Sequence, residues 1–220
     1  MVKPSPVFEV YSEKNRLFTP NITPGQSFFK EVIVHEGGRE FREWDCRRSK
    51  LAAAIATGCK NIFVRNSNVI LYLGAAHGYT VSYLSDIVGN GGFIFALDSA
   101  PRVVRDLVFL AKARKNVAPM LADAAHPETY INKISQVDVV YQDIAQKQQA
   151  EIFMKNMDMF LKPGGYGMIA VKARSIDVTK KPSVLFNDVR KLIENKYPVV
   201  DFRVLDPFEK DHCFIICKKK

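Results

Sequence analysis

The 220-residue chain predicts an α/β fold: a doubly wound, mostly parallel seven-stranded sheet with a terminal antiparallel strand, preceded by a small N-terminal β subdomain. Three observations predict it. From residue 68 onward short apolar runs alternate with helix-like stretches, the β-α-β-α order of a parallel sheet. Several runs are apolar on both faces, as strands are when helices cover both sides of a sheet. The last two runs are joined only by "PFEKD", too short for a helical crossover, so they should pair as a hairpin.

Residues 6–45 read differently from the rest. "VFEVYSEKNRLFTP" and "SFFKEVIVHEGGREFREW" are rich in Val, Ile and Phe, carry alternating charges and are broken by prolines. Gly37 and Gly38 between two strand-like runs mark a hairpin turn. We expect an antiparallel β subdomain over residues 1–48 and a second unit over 49–220. The second unit opens with a helix, "SKLAAAIATG" (49–58), capped by Ser49 and ended by Gly58. Strands follow at 68–74, 92–98, 117–123, 137–143, 165–173, 199–206 and 212–218. Helices are expected between them at 80–88, 101–115, 127–134, 146–161 and 183–196. There is no repeat or low-complexity segment, and "KKK" is a solvated tail.

Composition sets limits. Hydrophobic residues at 47% and charged residues at 25% are ordinary globular values. "MVKPSPVFEV" does not resemble a signal peptide, and no apolar run approaches the ~20 residues of a membrane span. A soluble, intracellular protein with no membrane partner is expected. Cys46, Cys59, Cys213 and Cys217 contain no C-x-x-C pair; four reduced thiols packed as small hydrophobes fit better than zinc or a redox pair, and no metal site is expected. Thirty-two Lys and Arg against 23 Asp and Glu give a net charge of +9, which favours a polyanionic partner without deciding for one.

The turn after the first strand of the second unit, "GAAHGYT", has a G-x-x-x-G spacing. A dinucleotide wants more glycines, so that backbone amides can approach its pyrophosphate at a helix N-terminus. An adenosine without phosphate needs only a tight turn, one close approach and a polar helix start. Gly74, Asp98, Asp123 and Asp143 end four strands in a row, at the edge where ligands of open α/β sheets bind. Asp98 is placed to hydrogen-bond both ribose hydroxyls; Asp123, followed by a small alanine, would lie beside the adenine. Single acids often follow strands because Asp caps helices. Three carboxylates at one edge would repel a phosphate and attract a sulfonium cation, which favours S-adenosyl-L-methionine over NAD.

"FREWDCRRSKLAAAI", "YLGAAHGYTVSYLSDIVG", "DIAQKQQAEIF", "LKPGGYGMIAVKARSIDVT" and "FEKDHCFIICK" strongly resemble fibrillarin, the ribose 2′-O-methyltransferase family of box C/D ribonucleoprotein particles. The resemblance spans nearly the whole chain and implies a class I, Rossmann-like methyltransferase fold. It carries donor contacts onto Gly74, Ala75, Tyr79, Thr80, Asp98, Ser99, Asp123, Ala124, Asp143, Ile144, Ala145 and Gln146. The chain departs from the family at His77 and Tyr79, where Ser and Thr are usual, and at Asp98-Ser99, where Glu-Phe is common. The glycine- and arginine-rich arm of eukaryotic members is absent, so the compact, cytoplasmic archaeal form is implied.

Ribose 2′-O-methylation is an in-line displacement that needs no metal, because the electrophile is already activated. It needs alignment within ~3–3.5 Å and help in removing a poorly acidic proton. The resemblance implies a Lys-Asp-Lys-His set, matched by Lys50, Asp143, Lys172 and His212. Taken alone, a lysine in a strand snorkels to the surface and a histidine before a strand is a satisfied polar residue, so this set rests on the resemblance. Burial near another cation would favour the neutral amine of Lys172, the form that acts as a base. Asp143 would then orient the lysine and target, Lys50 polarise Lys172 or anchor a phosphate, and His212 orient the ribose or relay a proton. An A-form helix exposes its 2′-hydroxyls in a shallow groove, so no base need be flipped. No RNA-reading motif is present. The resemblance supplies the readers: a guide RNA pairing with target rRNA or tRNA, a Nop-domain scaffold and a kink-turn-binding ribosomal-type protein. The rivals are a small-molecule O-methyltransferase, for which a lid segment is missing, a noncatalytic RNA-particle scaffold, and a dinucleotide oxidoreductase, for which phosphate glycines are missing.

Overall fold

A computed structural model describes residues 1–220. The N-terminal part is a five-stranded antiparallel sheet of β1 (Lys3–Pro4), β2 (Tyr11–Glu13), β3 (Arg16–Pro20), β4 (Ile33–Glu36) and β5 (Arg39–Trp44), in the order β1-β2-β3-β5-β4. β4 and β5 form the hairpin expected at Gly37-Gly38, whose φ values of +59° and +73° suit a turn that twists with its strands. Helix α1 (Lys50–Ala56) follows. The Ser49 hydroxyl caps it by accepting the Ala52 N–H, and Gly58 leaves it at φ +103°.

The second sheet contains β6 (Val69–Leu73), β7 (Phe93–Asp98), β8 (Val117–Leu121), β9 (Val137–Gln142), β10 (Leu161–Lys172), β11 (Val199–Val204) and β12 (His212–Lys218). Its order is β11-β12-β10-β9-β6-β7-β8. The β10-β9-β6-β7-β8 pairs are parallel, and β12 is antiparallel to both of its neighbours. The antiparallel strand is therefore last in the chain but interior in the sheet. Helices α2 (Tyr79–Val88), α3 (Pro101–Ala113), α4 (Gln149–Phe160), α5 (Ala173–Ile176) and α6 (Pro182–Glu194) connect these strands. No helix is long and apolar enough to cross a membrane.

Three local expectations need correction. Residues 127–134 form two single 3₁₀ turns, Pro127–Thr129 and Ile131–Lys133, rather than a helix. The stretch is too short to repay helix nucleation, and the Thr129 hydroxyl donates to the His126 carbonyl in its place. Helix α4 starts at Gln149, not 146, which leaves residues 143–148 free as a loop. β10 starts at Leu161, not 165, because a register shift between Leu161 and Tyr166 absorbs "KPGG", with Gly164 at φ +78°.

Each face of the large sheet carries its own core. Residues of α1, α2 and α3 pack on one face with Tyr72, Tyr141, Met168, Ala170 and Phe214; α4 and α6 pack on the other with Leu71, Val140, Ile169 and Ile215. Val7, Val10, Leu17 and Trp44 join the N-terminal sheet to the first of these cores. A buried ionic cluster ties it further. Arg42 bonds Glu31 at 2.6 Å and Asp86 of α2 at 2.8 Å, and Arg114 bonds the other Asp86 oxygen at 2.7 Å. Both arginines are 0% exposed. The cysteines are buried free thiols. Burial pushes Cys46 and Cys59 up to about 11 and Cys217 to about 12, so they are packing residues rather than reactive ones.

Candidate active site

β6 and β9 are neighbours, but the chain leaves β6 toward β7 and leaves β9 toward β10, so a crevice opens at their carboxyl ends. Gly74 and Asp143 meet there. Gly74 has φ +82°, and a Cβ on it would overlap the Asp143 carbonyl oxygen and lie 2.8 Å from Ile144 Cγ2. Only glycine lets the two loops approach this closely. Asp98 orders the glycine turn: its carboxylate accepts the N–H of Ala76 at 2.9 Å and of Ala100 at 3.0 Å. A carboxylate has about four acceptor positions, so a pair remains for a ligand.

Two cavities flank Gly74, Ala76 and Asp143, which line both. The smaller, of about 270 Å³, is walled by Asp98, Ser99, Asp123, Ala124 and the run Ile144-Ala145-Gln146. The larger, of about 700 Å³, is walled by Lys50, Tyr72, Ala75, Tyr79 and Thr80, and reaches outward past Phe28, Phe29, Arg48, His77 and Phe109. Every residue assigned to the donor from the sequence thus lines one cavity or the other. The hydroxyl of Thr80 donates to that of Ser49 at 2.9 Å, tying the start of α2 to the start of α1 and hence to Lys50.

Lys50 Nζ lies 3.0 Å from Asp143 Oδ2, both side chains being about one-fifth exposed. Strand alternation places Asp143, two residues after Tyr141, on the α1-covered face. Lys172 and His212 share that face with Ala170 and Phe214, and they stand opposite each other in the β10–β12 register. The four residues therefore converge on one end of one face. Lys172 is half-buried, and its amine makes no ion pair or hydrogen bond within the protein. His212 is buried, with Nδ1 2.6 Å from the Lys210 carbonyl. A carbonyl only accepts, so Nδ1 carries a proton, and Nε2 is the ring nitrogen left to face the site. Beneath the set, Tyr72 and Tyr141 stack with centroids 4.4 Å apart. Burial pushes both phenols well above their ordinary range, so they form a neutral floor.

The sequence reading did not assign Tyr72, Phe28, Phe29, Arg48 or Phe109 to the site. Phe28, Phe29 and Tyr72 carry no signal that separates them from core residues. Arg48 stands two residues before Lys50; its guanidinium lies 4.2 Å from the Tyr79 ring centroid and donates to the Phe29 carbonyl. The two departures from the usual family pattern within the glycine turn are both engaged: Tyr79 accepts the Asp45 N–H with its hydroxyl, and His77 lies 2.6 Å from Asp106. No three His, Cys, Asp or Glu side chains gather as a metal would require.

The chain is similar to known proteins over nearly its whole length. The fibrillarin family model matches residues 2–220. A fibrillarin-like rRNA/tRNA 2′-O-methyltransferase of Thermococcus sibiricus is 46% identical over 204 residues, 93% of this chain and 90% of the relative. The fibrillarin of Aeropyrum pernix, crystallised with natively bound S-adenosyl-L-methionine, is 41% identical with a TM-score of 0.89, over 99% of this chain and 97% of that one. The fibrillarin of a fibrillarin/Nop5p complex is 39% identical with a TM-score of 0.90, over 99% of this chain and 100% of that one. Matched nearly from end to end in both sequence and fold, the chain belongs to the fibrillarin family.

Proposed function

We propose that the protein methylates ribose 2′-hydroxyls of rRNA and tRNA with S-adenosyl-L-methionine, as the catalytic subunit of a cytoplasmic box C/D guide-RNA ribonucleoprotein. The observation that carries this reading is the ion pair of Lys50 and Asp143 at the point where the two cavities meet. The names of the relatives and the donor bound in the Aeropyrum pernix structure support it. The residues fit that donor: the smaller cavity offers Asp98 to a ribose and the space beside Asp123 and Ala124 to an adenine. The larger offers Tyr72, Ala75 and Thr80 to the methionine end, and the carboxylates suit a sulfonium better than a phosphate.

When bound, the donor supplies an activated methyl group that an oxygen nucleophile displaces in line. The chain supplies alignment and a place for the proton. Asp143 fixes Lys50 and presents negative charge at the junction of the cavities. Lys172, whose amine has no partner in the protein, would take the hydroxyl proton when in its uncharged form, and His212 turns Nε2 toward a ribose hydroxyl. The +9 surplus supplies affinity for an RNA backbone but no sequence reading. Guide RNA, a Nop-domain scaffold and a kink-turn-binding protein supply the address; the fibrillarin/Nop5p complex supports the scaffold.

The test is a methylation assay with labelled donor and a guided target, run with and without the partner proteins. Methylation at the guided nucleotide only in the full particle is expected. Efficient modification of one defined nucleotide by the isolated chain, without a guide at physiological salt, would overturn the guided model. NAD binding as tight as the methyl donor's would overturn the donor assignment.

A further inference from the structure

Gln149 is the first residue of α4, is 0% exposed, and engages every hydrogen-bonding position of its side-chain NH₂ along with its oxygen. The ladder between β10 and β9 ends with Ile169 opposite Gln142, so β10 runs on through Ala170, Val171 and Lys172 with no strand beside it on that flank. At Lys172 the primary amide of Gln149 takes the place of the missing strand. Its Oε1 accepts the Lys172 N–H at 3.0 Å and its Nε2 donates to the Lys172 carbonyl at 3.1 Å. This is the exchange of two bonds that paired residues make across an antiparallel ladder. The second N–H donates to the Gln146 carbonyl at 3.0 Å. Gln146 ends the run 143–146 that walls the smaller cavity and begins with Asp143. The backbone carbonyl of Gln149 accepts the Gln142 side-chain amide at 2.6 Å, immediately before Asp143.

A buried amide in an apolar setting costs stability unless it is fully bonded, so packing alone would favour a methionine or leucine here. The side chain bonds only two things: the backbone that carries Lys172 and the loop that carries the donor contacts. On its other flank Lys172 stands opposite His212 of β12, so its backbone is held from both sides. We infer that Gln149 is a positioning residue for methyl transfer, setting the distance between Lys172 and the loop of Asp143 and the donor cavity. The inference rests on the proposed function and adds to it the residue that fixes the internal geometry of the site.

Gln149→Met keeps the length of the side chain and removes all three of its bonds. In the reconstituted particle with saturating donor, single-turnover transfer should fall about 100-fold, the scale of a 1 Å misplacement. The KM for target RNA should stay within about twofold, because this side chain is fully buried and presents nothing to an RNA surface. On a Lys172→Ala background the same substitution should slow the residual rate by less than about threefold, since the group it positions is gone. Gln149→Glu is the second variant, should the first fail to fold. Its carboxylate accepts the Lys172 N–H but repels the Lys172 and Gln146 carbonyls, whereas the protonated acid can donate to one of them. Burial raises the pKa of such a group, so the rate relative to wild type should recover as pH falls from about 8 to 6. A Gln149→Met rate close to wild type, an equal loss with and without Lys172, or a flat ratio for Gln149→Glu would overturn the inference. A wild-type particle inactive in the same assay would instead overturn the proposed function.

Discussion

Replacing Gly74 by alanine should damage the fold and the site together, by amounts that can be separated. Its φ of +82° costs an alanine about 1–2 kcal/mol before any collision. The new methyl would stand 2.9 Å from the Asp143 carbonyl carbon and 2.8 Å from Ile144 Cγ2. Carbon atoms rest at about 3.5–4.0 Å, so the Asp143 loop must retreat by roughly 0.5–1 Å. Overpacking of that kind adds about 1–3 kcal/mol. A total near 3 kcal/mol lowers the midpoint of thermal unfolding by roughly 6–12 °C in a chain of this size. The retreat also carries away the carboxylate that holds Lys50, and a shift approaching 1 Å costs on the order of 100-fold in rate. Gly37→Ala is the control, because φ is +59° there and nothing lies within 4 Å of the added methyl, so only the conformational cost remains. Thermal unfolding, calorimetric titration with S-adenosyl-L-methionine and single-turnover transfer should be run on both variants. If Gly74→Ala matched Gly37→Ala in stability and kept full donor affinity, the close crossing of the two loops would be irrelevant to the site.

Asp98→Ala should weaken donor binding clearly while the protein stays folded, since the carboxylate orders the glycine turn and faces the smaller cavity; unchanged calorimetric affinity would remove Asp98 from the site. Asp143→Ala and Lys172→Ala should each lower methyl transfer by about 10²–10⁴-fold with much of the fold intact. Near-normal turnover of Lys172→Ala would defeat its assignment as base. Asp86→Asn leaves Arg42 and Arg114 buried without their shared carboxylate and should cost about 3–5 kcal/mol, read as a shift in denaturant midpoint. Burial pushes the Glu31 carboxyl up, but the Arg42 charge and the Phe29 N–H outweigh it and hold it at about 2, below the ordinary 4.5. That depression corresponds to about 3 kcal/mol, present in full above pH ~4.5 and lost as pH falls toward 2. The stability difference between wild type and Glu31→Gln should therefore shrink over that window and not above it.

What could be read from the sequence is what repeats at fixed places along a strand. Gly74, Asp98 and Asp143 stand at or just after strand ends, and a parallel sheet brings all such ends to one edge whatever its helices do. The pairing of Lys172 with His212 needed more. The short link predicts that the last two strands pair with each other, yet nothing local says that β12 also pairs with β10, which is what sets His212 against Lys172. The aromatic wall of Phe28, Phe29 and Phe109 escaped for a related reason: these side chains come from the N-terminal unit and from α3, and only the packed fold brings them beside Gly74. Pro163 with Gly164 and Gly165 reads as a strand break, and the sheet accommodates it as an irregularity within β10. Gln149 looks like any polar residue near a helix start. Its meaning depends on the flank of β10 that β9 leaves open.

The place of β12 has a consequence for how the enzyme comes into being. Lys50, Asp143 and Lys172 leave the ribosome in that order, and His212 follows them on the strand that must be inserted between β10 and β11, both already made. Until it arrives, β10 and β11 each show an open edge, the kind of surface on which chains aggregate. The residues assigned to the donor, from Gly74 to Gln146, are all synthesised before that moment. A nascent chain can therefore shape its donor cavity early, while the strand that seals the sheet also delivers the histidine that faces Lys172. Closure of the sheet and the facing of Lys172 by His212 therefore arrive in a single step.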